Sequence, residues 1–353
     1  MDLLTIVEGI GEAPTAAVLG LVTGFVFGVA AQRSRFCLRA ATVEFARHEI
    51  GPRVSVWLLC FSTALVWVQG AQLLDFFRAE EARMMAVPGS WSGAIIGGLV
   101  FGVGMVLARG CPGRLLVLAA SGNLRSVVSG LIFAVVAQMS LKGVLAPLRD
   151  GLAGIWVTAG GHNLNLLAWA GLPRAGGLVF GLVIAAIALY LARRNRIGAS
   201  TLVFASGVGF SVALGWIATF TLARISFEPV TISSVTFSGP SAATLMFFLA
   251  PERVLEFDVG LVPGVVIGAG LAARLAREFR VHGFEGESNM RRAMSGAVLM
   301  GFGAMLAGGC SIGAGVTGGS IFAGTAWVAL SAMWAGAMLT DLLVDQRRTA
   351  AAA

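Results

Sequence analysis

The sequence has little charge, little histidine and almost no lysine. Charged residues make up 12% of its 353 positions and hydrophobic residues 57%, about half the roughly 25% charge of an ordinary soluble domain. This excludes a soluble globule and describes an all-α polytopic membrane protein, because apolar runs approaching the roughly 20 residues that cross a bilayer recur along the chain. The three histidines, His48, His162 and His282, are scattered near loops and lack metal-ligand spacing. The four cysteines, Cys37, Cys60, Cys111 and Cys310, fit neither a disulfide framework nor a paired zinc spacing. No nucleotide cradle, catalytic triad or carboxylate dyad is visible, so no metal, no cofactor and no enzymatic activity is expected. The opening "MDLLTIVEGIGEAPT" carries acids and no Lys or Arg, the reverse of a signal-peptide n-region, so no cleaved leader is expected.

What is present is a series of apolar runs punctuated by Gly, Pro and Arg. They predict about nine crossings, near 14–31, 54–74, 91–108, 125–142, 176–192, 203–223, 259–276, 293–307 and 322–343. The first, third and eighth are short or Gly-rich, as interrupted helices are. Of 25 basic residues, Lys142 is the sole lysine, and about 18 fall in connections after odd-numbered crossings. By the positive-inside rule those connections face the cytoplasm, which places the N-terminus outside and the C-terminus inside. Without aromatic interleaving or a recognition fold these arginines record topology, and no nucleic acid is expected as a partner.

Gly97 to Cys111, "GGLVFGVGMVLARGC", matches Gly296 to Cys310, "GAVLMGFGAMLAGGC", at seven of fifteen positions without a gap. Crossing three then pairs with crossing eight. An odd offset of five reverses direction in the membrane, giving inverted repeats of four crossings around a fifth. The expected division is a first half-repeat at 14–150, a connector with the central helix at 151–200, a second, inverted half at 201–345 and a cytoplasmic tail at 346–353. A weaker match sets Phe36 against Phe227 and Glu228 against Cys37, so the second half is expected to lack a thiol partner for Cys37. Glu228, before Pro229, is readable either as an intramembrane acid or as a loop residue.

Both repeats end in Gly-Cys, where a helix stops. Gly110 and Gly309 are expected to let the backbone leave the helix, and Pro112 to prevent its continuation. After Cys310, "SIGAGVTGGS" from Ser311 to Ser320 is expected to present hydroxyls and free N–H groups. Irregular backbone at membrane depth is tolerated only where it is buried in protein or lines a wet cavity. A passage lined by donors, arginines and thiols suits an anion, with S–H as a weak, soft donor and Arg as the attraction that offsets dehydration. Two readings of Arg109 and Arg114 remain side by side: members of that passage, or topology markers. Cys60, inside an apolar run, reads as filler.

Together "RSRFC" at Arg33 to Cys37, "ARGCPG" at Ala108 to Gly113 and "AGGCSIGAG" at Ala307 to Gly315, with "FSGPSAATL" at Phe237 to Leu245, resemble the YeeE/YedE family of sulfur-transport membrane proteins. The resemblance covers about residues 15 to 343. It implies an inverted-repeat, hourglass-like helical protein with short non-spanning helices, placed in a bacterial inner membrane. It further implies uptake of thiosulfate or a related sulfur anion along a pathway marked by Cys37, Cys111 and Cys310. A small soluble TusA-like sulfurtransferase is the implied partner. Relay between neutral thiols contrasts with covalent transfer through a reactive thiolate, as in a membrane sulfurtransferase. Selenium compounds are the alternative cargo.

Overall fold

The computed structural model describes residues 3–251, 253–283 and 286–346. Among these residues nine helical segments are long and apolar enough to cross a membrane. They fall on the nine expected runs, and no β-strand forms among the described residues. The main helices are α1 (Glu12–Ser34), α2 (Leu38–Ala46), α3 (Pro52–Leu73), α4 (Trp91–Leu107), α5 (Pro112–Ala120), α6 (Leu124–Lys142), α7 (Arg174–Arg194), α8 (Ala199–Ile225), α9 (Ser238–Leu249), α10 (Phe257–Leu275), α11 (Glu287–Leu306) and α12 (Gly324–Thr340), with a π-helix, π1, at Ser311–Gly318 between the last two. The tail expected at 346–353 lies outside the described residues beyond Gln346.

The starts and stops follow local chemistry. Ser90 caps α4 by accepting from Gly93 N–H, and Asn123 caps α6 by accepting from Ser126 N–H, each satisfying one otherwise orphaned donor. Pro52 and Pro112 occupy first-turn positions, where a missing N–H costs nothing. Charge extends α11 beyond the apolar run. It begins at Glu287, and Arg292 on its second turn pairs with Asp345 at 2.5 Å.

The inverted repeat is visible in backbone contacts. A Cβ added at Gly97 would sit 2.5 Å from Ala307 N and 2.7 Å from Gly303 O; one added at Gly296 would sit 2.5 Å from Ala108 N and 2.7 Å from Gly104 O. These are one contact written twice about a two-fold axis between antiparallel α4 and α11. The same exchange carries Gly102, against the Met333 carbonyl of α12, onto Gly301, against the Phe133 carbonyl of α6. It also carries the α1–α10 pair onto α8–α3. Between α1 and α10 the packing is closest: Gly20, Gly24 and Gly28 meet the carbonyls of Phe257, Leu261 and Val265, while Gly260, Gly264 and Gly268 meet those of Ala17, Leu21 and Phe25. Small residues let helices with no hydrophobic drive between them gain contact area instead.

Candidate substrate passage

Three helices are interrupted where short or Gly-rich runs predicted it, and each interruption holds a thiol. Cys37 is the N-cap residue of α2, Cys111 of α5 and Cys310 of π1. Two residues before each thiol the backbone turns left-handed, at Arg35 (φ 53°), Arg109 (φ 58°) and Gly308 (φ +75°). The expectation that Gly110 and Gly309 release the chain is therefore corrected. The turn is made one residue earlier, and Gly110 and Gly309 instead donate to Met105 and Ala304 carbonyls at 3.1 and 2.9 Å. The αL conformation costs an L-residue of the Arg109 type about 1–2 kcal/mol, whereas Gly308 adopts it without that penalty. Pro112 does not merely stop α4; it opens α5.

A thiol at an N-cap faces the positive end of a helix, where about half an elementary charge and several free N–H groups gather. Cys111 and Cys310 are fully buried, and Cys37 is half-buried. The Cys111 thiol lies within electrostatic reach of both Cys37 and Cys310 and beside the Ser311 hydroxyl. The Arg114 guanidinium is within electrostatic range of Cys37 and Cys111, as of Arg35 and Arg53, and its buried Nη1 bonds no group among the described residues. A buried guanidinium donor without a partner is costly unless an anion visits it. Arg109 is exposed.

Cys310 is held differently. Its sulfur accepts from Gly313 N–H and Phe237 N–H, each at 3.4 Å, with Thr236 Oγ1 at 3.9 Å. Its acceptor side is thus occupied, leaving S–H to donate. The expected free N–H groups of 311–320 are mostly absent, because Ser311–Gly318 winds into a buried π-helix. A π-turn in a membrane core is a local irregularity of the kind found at functional sites.

Sequence reasoning missed Thr236, and it read Phe237 and Gly239 only as part of the motif "FSGPSAATL" and not as site residues. The counterpart of α2 is α9, which follows an extended stretch at 226–237, so the Phe36–Phe227 register is wrong. Glu228 is an exposed loop residue whose N–H bonds Glu12 Oε2 at 3.2 Å. The better signal is "AATVEF" at 40–45 against "AATLMF" at 242–247, which sets Gly239 opposite Cys37. The second half still offers no thiol there. Cys60 is buried within α3, where its carbonyl packs on Gly209 of α8, and it lies apart from the interruptions.

Cavities open near the interruptions, with Arg35 in the wall of one and Thr236, Gly308 and Gly313 in that of another. One, of about 510 Å³, is lined by Arg33, Arg35, Arg53, Arg196 and Glu278. Glu278 accepts from Gln32 at 3.0 Å and Arg35 at 3.1 Å. Three others gather on the face that carries 79–90 and 226–237.

The Sulphur transport family matches residues 33–339. The chain belongs to the Sulphur transport family. It is 27% identical to the thiosulfate transporter TsuA of Escherichia coli (strain K12) over 93% of this chain and 94% of that protein. It is 26% identical to the thiosulfate transporter TsuA of Spirochaeta thermophila (strain ATCC 700085 / DSM 6578 / Z-1203) over 88% of this chain and 93% of that protein. For this Sulphur transport family member the resemblance read from the cysteine motifs is borne out. The match spans all three interruptions.

Proposed function

We propose that this protein takes up thiosulfate across a bacterial inner membrane by relaying the anion between neutral thiols. One observation carries the reading: three thiols occupy the N-caps of three interrupted helices, with the middle one, Cys111, in reach of the other two. The full-length similarity to two thiosulfate transporters supports the cargo. Thiosulfate is a tetrahedral dianion with a soft terminal sulfur. N-cap dipoles and the Arg114 guanidinium offset part of its dehydration, and S–H donors hold it weakly enough for release. Thiolates would repel it. Ser311, Gly110 and Gly309 complete the lining, and Arg109 stands at the turn beside Cys111. No bond to the anion is made or broken.

In this reading the arginine-rich cavity is the cytoplasmic exit, the N-terminus lies outside and the C-terminus inside, and 14–150 and 201–345 are the halves joined by 151–200. A TusA-like sulfurtransferase receives the anion at that exit. The test is uptake into vesicles holding only this protein, from a panel of thiosulfate, sulfite, sulfate and selenium oxyanions. Thiosulfate accumulation by wild type, lost in Cys111→Ala and Cys310→Ala, supports the relay. Substrate-dependent persulfide on the thiols, with Ser variants as inactive as Ala, would replace it with covalent transfer.

A further inference from the structure

The two-fold axis shows where the second half has given up side chains. Gly239 stands opposite Cys37, and Gly308 opposite Arg109. On that face a thiol and a guanidinium are each replaced by a hydrogen, and a cavity of about 40 Å³ lies against both glycines. It has room for about three waters at the roughly 10–15 Å³ each requires, enough for a small ion shedding its hydration but not for a bulky organic sulfonate. Its walls include Thr236 and Gly313, the groups that hold the Cys310 sulfur. Nothing lies within 4 Å of the position a Gly308 Cβ would take.

A cation enters this space from elsewhere in the chain. Arg83 lines this cavity and also two larger ones, of about 330 and 310 Å³, so it stands where the three meet. Its backbone N–H bonds the Ile232 carbonyl at 3.2 Å, which pins the turn over the cavity. Arg83 is exposed, and among the described residues no hydrogen bond or ion pair occupies its guanidinium. The three branches differ in charge. The 330 Å³ cavity carries Glu12, Glu228, Glu256 and Asp258, and Asp258 is within electrostatic reach of Arg83. No carboxylate lines the other two, although Asp258 Oδ2 lies 3.2 Å from where a Cβ on Gly239 would sit. A dianion is repelled by the first wall and by Asp258 behind Gly239, and is drawn past Arg83 on the Gly308 side.

We infer that Arg83, with the Thr236 hydroxyl, forms an anion-recognition site ahead of Cys310 that selects small tetrahedral dianions. The guanidinium fork takes two oxygens of the anion, a geometry that arginine offers and lysine does not. This site adjoins Cys310 through Thr236 and replaces, by the first residue of the short helix Arg83–Ala86, the cation that Arg109 supplies in the first half. It rests on the reading of the protein as a thiosulfate carrier.

The test is the concentration dependence of thiosulfate uptake in vesicles. Wild type inactive toward thiosulfate would remove the underlying reading. With wild type active, Arg83→Gln is expected to raise KM about tenfold, equivalent to about 1.4 kcal/mol, with maximal rate within about twofold of wild type, because the chain beyond the site is untouched. Arg83→Lys, which keeps charge and loses the fork, is expected to raise KM about threefold. Gly308→Asp places a carboxylate opposite Arg83 at a position where Asp tolerates the left-handed backbone, and is expected to raise KM at least as much as Arg83→Gln. This variant decides the matter if Arg83→Gln does not fold. Unchanged KM in the folded variants, or a lower maximal rate at constant KM, overturns the assignment.

Discussion

The interruptions at Cys111 and Cys310 are built alike and finished differently. Each follows a helix that ends in a left-handed residue two positions before the thiol, and each thiol is fully buried at an N-cap. After Cys111, Pro112 opens a regular α-helix, and the sulfur makes no close cap bond, with only the Ser311 hydroxyl and the Arg114 N–H beside it. After Cys310, a run of small residues winds a π-helix whose Gly313 N–H, with that of Phe237, grips the sulfur. One thiol is held by two backbone donors, and the other is held more loosely. Duplication supplied the shape twice, and the following few residues set what each copy does.

The largest expected effect tests whether both ends are needed. Cys111→Ala and Cys310→Ala should each cut uptake by roughly 100-fold, the scale at which losing one preorganised donor acts, while folded yield stays near wild type. Equal losses in Cys60→Ala would make the comparison one of packing rather than passage. Serine sharpens the contrast. N–H donors 3.4 Å from sulfur are too far for the roughly 2.9 Å that oxygen needs, so Cys310→Ser should leave its grip unmade. Cys111→Ser should retain about a tenth of wild-type uptake, the cost of one altered hydrogen bond, and exceed Cys310→Ser at matched protein amounts. The opposite ranking would break the distinction between firmly and loosely held thiols.

The two-fold relation itself is open to measurement. Gly97→Val and Gly296→Val push side chains into the same backbone atoms from opposite sides, so each should lower stability by about 1–3 kcal/mol, and by matching amounts. Unfolding in detergent, followed by helical signal, would show a divergence if the axis were only apparent. Smaller still, Gly308→Ala should cost about 1 kcal/mol through its left-handed backbone, while Arg109→Gly should relieve a similar strain yet weaken uptake. The smallest expected effect is Cys60→Ala, with uptake near wild type.

All nine crossings were legible because hydropathy alone fixes them, and two of the breaks because glycine followed by cysteine ends the run abruptly, while arginines mark the third before Cys37. The left-handed residue was not, since Arg109 takes a conformation its side chain disfavours and only tertiary packing enforces. Nor was the π-helix, because the glycines of 311–320 suit loop and helix equally. Gly239 was hidden by the extended segment that offsets the second repeat, and Arg83 by its place in a connection, where no periodicity marks which residue turns inward.

The paired glycines of α1 and α10 set each helix backbone directly against the other along three successive turns. Sliding one helix past the other by a residue would drive Leu, Val and Phe side chains into carbonyl oxygens, so the contact holds as a single rigid seam. A carrier that rocks its halves must return empty, and internal substrate accelerates that return. A carrier whose halves are joined along such a seam has no return stroke to accelerate. Preloading vesicles with thiosulfate should therefore leave the initial rate of labelled uptake unstimulated.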